Sequence, residues 1–298
     1  MKKDIKYGYY AVAFIDILGQ KDVFNQLNNI EFDDKPETKD KIIQIDEDSA
    51  GFVEKLRQLY QKYFDLLTEV KPPSYEVSDG KKVIYDEVRK VHLKHYSFSD
   101  SIVAFVPLQS DKYCSPAING VYGIFAACGG LLLIALAMGK VFRAGIDVGK
   151  GIELESGEVY GPALYNAHYL ECRIAQYPRI VLGNELLNYL GSLSVKHKQA
   201  SHQPQEDIEL CKTMADCCLS MVELDIDGNP YLDYLGDNFK KRFDNYSSQE
   251  DITNYSDTVH KAIDFIEKQV IEKRKGRDSK LALRYHWLLN YFKGKTKR

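Results

Sequence analysis

The sequence is short of several features that would narrow its function at once. Its six cysteines, Cys114, Cys128, Cys172, Cys211, Cys217 and Cys218, include no Cys-x-x-Cys pair, and the N-terminal MKKDIKYGYY has no apolar signal segment. A reducing cytoplasm is the natural setting for such a chain. Excess charge of one sign is lacking too: 40 Lys and Arg stand against 43 Asp and Glu, a net charge of −3. No broad basic field argues for nucleic acid, although a small anionic ligand would need only a local site. The seven histidines form no His-x-x-x-His ligand spacing, and no internal repeat is present. With 44% apolar residues over 298 positions, neither disorder nor a collagen-like composition fits.

One long apolar run does exist. No charge falls between Ser115 and Gly139, and IFAACGGLLLIALAM is apolar enough to raise a membrane span. The Gly129-Gly130 pair, the lack of flanking Lys or Arg on one side and the direct continuation into VFRAGIDVG favour a buried core helix instead, with no membrane partner.

Along the chain, Tyr9 to Leu18 reads as a strand running through Gly19 into a short helix near Lys21 to Asn28. An acidic polar insert follows and reads as a surface excursion. FVEKLRQLYQKYFDLLTEV has apolar residues at helical spacing, and KPP stops it. After a polar loop containing SDGKK, VHLKHYSFSD and SIVAFVPL read as two strands with Asp100 at their turn. The apolar helix comes next, then a strand at Phe142 to Val148, a hairpin through IELESGEVYG, a helix from Pro162 to Gln176 and a short strand in PRIVLG. The pattern is α+β, a ferredoxin-like βαββαβ core with helices on one face of a mainly antiparallel sheet. Residues 1–183 form this core. Residues 184–298 read as a mostly helical extension, with a hairpin at VELDIDGNPYLDYL and two long helices, packed on the core or on a dimer. DIDGNP lacks the continuation of a calcium loop and reads as a hairpin turn.

Asp16 raises the central question, because it interrupts the apolar run Ala11 to Leu18. A buried carboxylate is costly unless a positive charge meets it. In a ferredoxin-like sheet the strand bearing Asp16 neighbours the hairpin bearing Asp100, so the two can converge on one edge. Paired carboxylates suit Mg²⁺ or Mn²⁺, which take further ligands from phosphates and can assist displacement at phosphorus. Taken singly, Asp16 also fits a strand-end cap and Asp100 an ordinary turn aspartate.

Four segments in order, AFIDILG, FSDSIVAF, FRAGIDVGKG and GEVYGPALYNAHYLE, resemble the motifs of the class III nucleotidyl cyclase catalytic domain over about residues 9 to 180. The resemblance implies that Asp16 and Asp100 bind metal, two Mg²⁺ or Mn²⁺ ions per site, with the carbonyl of Ile17 as a further ligand. It places Phe14 on the aromatic of the first motif, Gly19 where the triphosphate is cradled at a helix start, and Arg143 on phosphate oxygens. The base-reading positions fall on Tyr96 and Glu158, which differ from the Lys and Asp of adenylate cyclases. These departures resemble the bacterial pyrimidine cyclases of anti-phage defence and imply UTP or CTP as substrate. The positions that carry the family's transition-state Asn and Arg hold Tyr165 and Tyr169, and Asn166 and Arg173 lie close enough to replace them. The family further implies a homodimer with composite active sites, and a cyclic product read by a separate effector. A purine substrate, another two-metal phosphoryl-transfer enzyme, or a degenerate domain that binds nucleotide without turnover are the alternatives.

Overall fold

In the first strand, β1 (Lys6–Leu18), side-chain alternation settles how the sheet is covered. Ala11, Ala13, Ile15 and Ile17 turn to one face with Ile102, Ala104 and Val106 of β3 (Ser101–Pro107), and Tyr10 and Val12 turn to the other with Val103 and Phe105. A strand whose two phases are both apolar is covered on both sides. The computed structural model describes residues 6–31, 33, 35–68, 79–109, 112–195, 204–241 and 254–296.

With β2 (Lys94–Phe98) and β4 (Val141–Glu153), these strands lie in the order β2-β3-β1-β4, every pairing antiparallel. This is the expected βαββαβ core, and the architecture is α+β. The short β5 (Val159–Tyr160) pairs with the end of β4, and β6 (Ile180–Leu182) joins β4 in parallel. The C-terminal hairpin, β7 (Val222–Leu224) and β8 (Pro230–Leu232), then pairs through β8 with β6 and extends the same sheet.

The main core lies on the Ala11 face, under α3 (Ala50–Thr68) and α5 (Ser115–Ala137). α5 is long and apolar enough to cross a membrane, but 89% of its most apolar window is buried inside the fold. Fully buried side chains there, such as Phe125 and Leu132, each contribute about 1.5–3 kcal/mol. Helices were expected on one face only. A further helix, α6 (Pro162–Tyr169), covers the opposite face through Ala163 and Ala167, which pack with Tyr10, Val12 and Phe105.

The first insert and the SDGKK stretch, read as excursion and loop, contain helices. α1 (Gln20–Asn28) is followed by α2 (Pro36–Asp48), with Pro36 at its start, Glu37 in its first turn and a mostly exposed surface. α4 (Asp79–Val88) buries Ile84 and Val88 against Tyr113. Few apolar positions at each site hide a helix from a reading by periodicity. α8 (Gln205–Leu219), which follows α7 (Asn184–Ser194), buries Asp207, Cys211, Ala215 and Cys218 at helical spacing, a face of small and polar residues that is less conspicuous in the sequence. α8 ties the extension to the core twice. Cys211 forms a disulfide with Cys114, a pairing that no short cysteine spacing signalled and that departs from the reducing setting read from the cysteines, and fully buried Asp207 accepts from the amides of Cys114 and Ser115 at the start of α5. Two long helices, α9 (Tyr255–Lys275) and α10 (Ser279–Thr296), bring Ile266, Leu288 and Phe292 into the main core. Asn254 caps α9 by accepting from the Asp257 amide.

Candidate functional site

The register of β1 brings its acid to the β2–β3 hairpin. Asp16 stands opposite Ser101, and the Ile17 amide donates to the Asp100 carbonyl at 3.1 Å. Ser99, in the hairpin turn, holds a left-handed φ of 54°, a conformation uncommon outside glycine. Asp16 and Asp100, far apart in sequence, thus share one sheet edge. The Ser101 hydroxyl donates to Asp16 Oδ1 at 3.3 Å. At the same edge Gly19, with φ 91°, turns the chain out of β1 into α1.

The positive partner of Asp16 comes from β4. Arg143 lies directly opposite in the ladder, with Nη2 3.4 Å from Asp16 Oδ2. Its Nε donates to Glu171, a residue the sequence reading did not select. Glu171 is buried, at 2% exposure, in the π-helical turn Leu170–Ile174 that continues α6. A signal for it existed. Ala163, Ala167 and Glu171 recur at four-residue steps, so an acid sits on the buried face of a helix, the same anomaly that drew attention to Asp16. Burial raises the Asp16 carboxyl above its ordinary range, and the Asp100 charge adds to this while Arg143 opposes it. Burial pushes Glu171 up to about 7, with Asp16 adding to the rise against the pull of Arg143.

Helix α6 reaches this face because β4 has glycines beneath it. A Cβ on Gly145 would stand 2.2 Å from the Ala167 carbonyl oxygen, and one on Gly149 would stand 2.9 Å from the Ala163 Cα. The glycines of FRAGIDVGKG therefore admit a helix. Asp147, the buried β4 carboxylate, accepts from the Leu186 amide at 2.9 Å, and Asn166 lies near enough to favour its charged form. Tyr165 and Tyr169 stand outward, 66% and 46% exposed, with their rings stacked 6.4 Å apart. Arg173 is exposed. Neither Asn166 nor Arg173 is bonded to the carboxylate edge of its own chain.

Beside that edge lies an aromatic wall. Phe14 and Tyr96 pack against the second apolar cluster, Phe14 meets His168 edge-on at 4.8 Å, and Tyr96 meets Phe105 edge-on. The Tyr96 hydroxyl donates to the Val159 carbonyl at 3.3 Å. Burial, and then the charge of Glu158, push the Tyr96 phenol up to about 12, so it stays a donor at neutral pH. Glu158 itself is exposed.

No family model and no curated protein matches the chain. Among solved structures, an adenylyl cyclase from P. aeruginosa is 15% identical, with 63% of this chain and 83% of that one covered and a TM-score of 0.34. A bacterial light-regulated adenylyl cyclase is 10% identical over 72% of this chain and 59% of its own, with a TM-score of 0.38. A class III adenylyl cyclase-like ATP-binding protein from Pseudomonas aeruginosa is 15% identical over 71% of this chain and 41% of its own, with a TM-score of 0.33. The chain spans less than two thirds of the length of the second and third of these.

Chemically, the edge offers oxygen donors and surplus negative charge. Asp16, Asp100 and Glu171 bring three carboxyl groups to one bonded guanidinium, that of Arg143. His168, Glu171 and Cys172 also bring ligand atoms within 4.8 Å of one another, but Glu171 is already bound to Arg143.

Proposed function

We propose that the chain is a nucleotidyl cyclase that converts a pyrimidine nucleoside triphosphate, UTP or CTP, into its 3′,5′-cyclic monophosphate and pyrophosphate. The observation that carries this reading is the convergence of Asp16 and Asp100 on one sheet edge, with Arg143 opposite. Two partly exposed carboxylates with surplus negative charge and oxygen-only donors fit Mg²⁺ or Mn²⁺. Asp16, Asp100 and the carbonyl of Ile17 would hold two such ions, which when bound make the ribose 3′-hydroxyl more acidic and offset charge at the α-phosphorus.

The protein's own groups do the rest. Ser101 fixes one oxygen of Asp16, and Glu171 fixes Arg143 so that its guanidinium faces the edge. Arg143 and the amides after Gly19 at the start of α1 would steady the triphosphate as pyrophosphate leaves. Phe14 and Tyr96 would stack and bound the base, and Glu158 would accept from an exocyclic amine or ring N–H. An aromatic at position 96 narrows the pocket relative to a lysine, which supports the smaller base.

The exposed Tyr165–Tyr169 face and exposed Arg173 support a homodimer in which α6 of one subunit serves the carboxylate edge of the other. Arg173 would then supply a guanidinium to the developing phosphorane charge, while Asn166, beside Asp147, would set the pitch of the helix. The same outward tyrosines favour one second reading, a domain that binds nucleotide without turnover. By the resemblance, the product would act in anti-phage defence through a separate cyclic-nucleotide effector.

Incubation of the pure protein with each of the four ribonucleoside triphosphates and Mn²⁺, with chromatographic identification of the products, separates these readings. Cyclic UMP or cyclic CMP is expected. Dominant cyclic AMP overturns the pyrimidine assignment, and no cyclic product from any triphosphate overturns the enzyme.

A further inference from the structure

An accessible imidazole stands beside the carboxylate edge. His168, on α6, is exposed, and among the described residues neither of its ring nitrogens is hydrogen-bonded. Its ring meets Phe14 edge-to-face at 4.8 Å, and one of its nitrogens comes within 4.8 Å of a carboxyl oxygen of Glu171. The pitch of the helix sets this direction. Ala163, Ala167 and Glu171 lie buried at four-residue steps, so His168, one residue past Ala167, is rotated about 100° to the flank where Phe14 lies.

The spacing along β1 shows what lies in front of that flank. Phe14 and Asp16 are two residues apart on one strand, so they project to the same face, roughly 7 Å from each other. With the base on Phe14 and the α-phosphorus at Asp16, the ribose that joins them spans this interval. His168 flanks it, touching Phe14 at one end and approaching Glu171, the partner of Arg143, at the other. Of the two ribose hydroxyls, the 3′ is the attacking group and is committed to the α-phosphorus. The 2′-hydroxyl, on the carbon next to the base, is left for a side chain in this place. An imidazole nitrogen donates to a hydroxyl or accepts from it, so either tautomer of His168 suits such a partner.

We propose that His168 reads the sugar: one of its ring nitrogens hydrogen-bonds the 2′-hydroxyl of the substrate and so separates ribonucleoside from 2′-deoxyribonucleoside triphosphates. This rests on the cyclase reading of the Asp16 and Asp100 edge, and adds to it a substrate-recognising residue from the same chain. A site that bonds a substrate hydroxyl disfavours the analogue that lacks it, and one neutral hydrogen bond corresponds to roughly three- to tenfold in affinity.

Analogues that cannot cyclise test this without turnover. 3′-Deoxy-UTP keeps the 2′-hydroxyl and 2′,3′-dideoxy-UTP lacks it, and the matching CTP pair repeats the comparison. Each is titrated with Mn²⁺ into the full-length protein by calorimetry. For the better-bound base, the 3′-deoxy compound is expected to bind about three- to tenfold tighter than the dideoxy compound. In His168→Phe, which keeps a ring against Phe14 but has no ring nitrogen, the two should bind within about twofold of each other. His168→Ala should give the same result, and thermal melts check the fold of both variants. A gap that survives in either variant overturns the proposal, as does equal or tighter binding of the dideoxy compound by the unaltered protein. Failure of all four analogues to bind overturns it too. Cyclic product from UTP or CTP in that preparation would then leave the cyclase reading standing, and its absence would remove that reading as well.

Discussion

Two arginines in this molecule are each held between two carboxyl groups, to opposite effect. Arg143, on β4, meets Asp16 and Glu171, and both acids sit above their ordinary range, Glu171 at about 7. Arg179, just before β6, meets Asp225 and Asp227, and the side-chain bonds from Arg179 hold Asp227 down at about 2. The difference lies in what surrounds the pairs. Around Arg143 burial and the nearby Asp100 charge outweigh the attraction, so the carboxyl groups at this accessible sheet edge hold protons more readily than usual. Around Arg179 two-armed bonding and a partly solvated hairpin turn satisfy the pair, although burial still raises Asp225. Carboxyl groups with raised proton affinity at an accessible edge suit chemistry, and a guanidinium bonded through both arms closes a structure.

Breaking each arginine should sharpen that contrast. Arg143→Met is expected to lower turnover about 100-fold, equivalent to about 2.7 kcal/mol of barrier, with little change in melting temperature. Steady-state kinetics beside a thermal melt checks both halves; a large melting loss with intact turnover would reverse the roles assigned here. Arg179→Met should do the converse, costing about 2 kcal/mol of stability by leaving two aspartates unpaired, as read from denaturant unfolding. The smallest effect is in pH dependence, and its sign differs between the trios. A depressed carboxyl such as Asp227 contributes stability above its unfolded value of 3.8, and that stability is lost as pH falls through about 2. Asp227→Asn should flatten that window by about 1 kcal/mol after discounting for partial exposure. A raised carboxyl such as Glu171 favours the fold below 4.5 and loses that contribution as pH rises through about 7, so Glu171→Gln should flatten the window between those values instead. Melts across pH 2 to 8 compare the two variants.

Much of the core could be read from the chain because its strands carry apolar runs that are clearly punctuated. AFIDILG and SIVAFVPL carry their own strand signal, and Asp16 betrays itself as an acid inside such a run. The helices at 36–48 and 79–88 escaped because each buries too few residues to leave a period, and the one at 205–219 because its buried face is made of Asp207, Cys211, Ala215 and Cys218, not of large aliphatic side chains. Arg143 stood in a motif, whereas Glu171 needed knowledge that α6 lies on the sheet, which only Gly145 and Gly149 beneath it hint at. Arg179 and Asp227 are 48 positions apart and meet through a parallel strand and a hairpin, which no local pattern announces. The outward turn of Tyr165 and Tyr169 was likewise invisible without the helix in place.

The most direct measurement of the central claim compares the protein with Asp16→Ala under UTP or CTP and Mn²⁺, following cyclic product by chromatography and folding by thermal melt. A cyclic pyrimidine nucleotide is expected from the protein, with at least a 1,000-fold loss in the variant and closely similar melting curves. Equal product from both would contradict it, because the carboxylate edge would then play no part in the reaction.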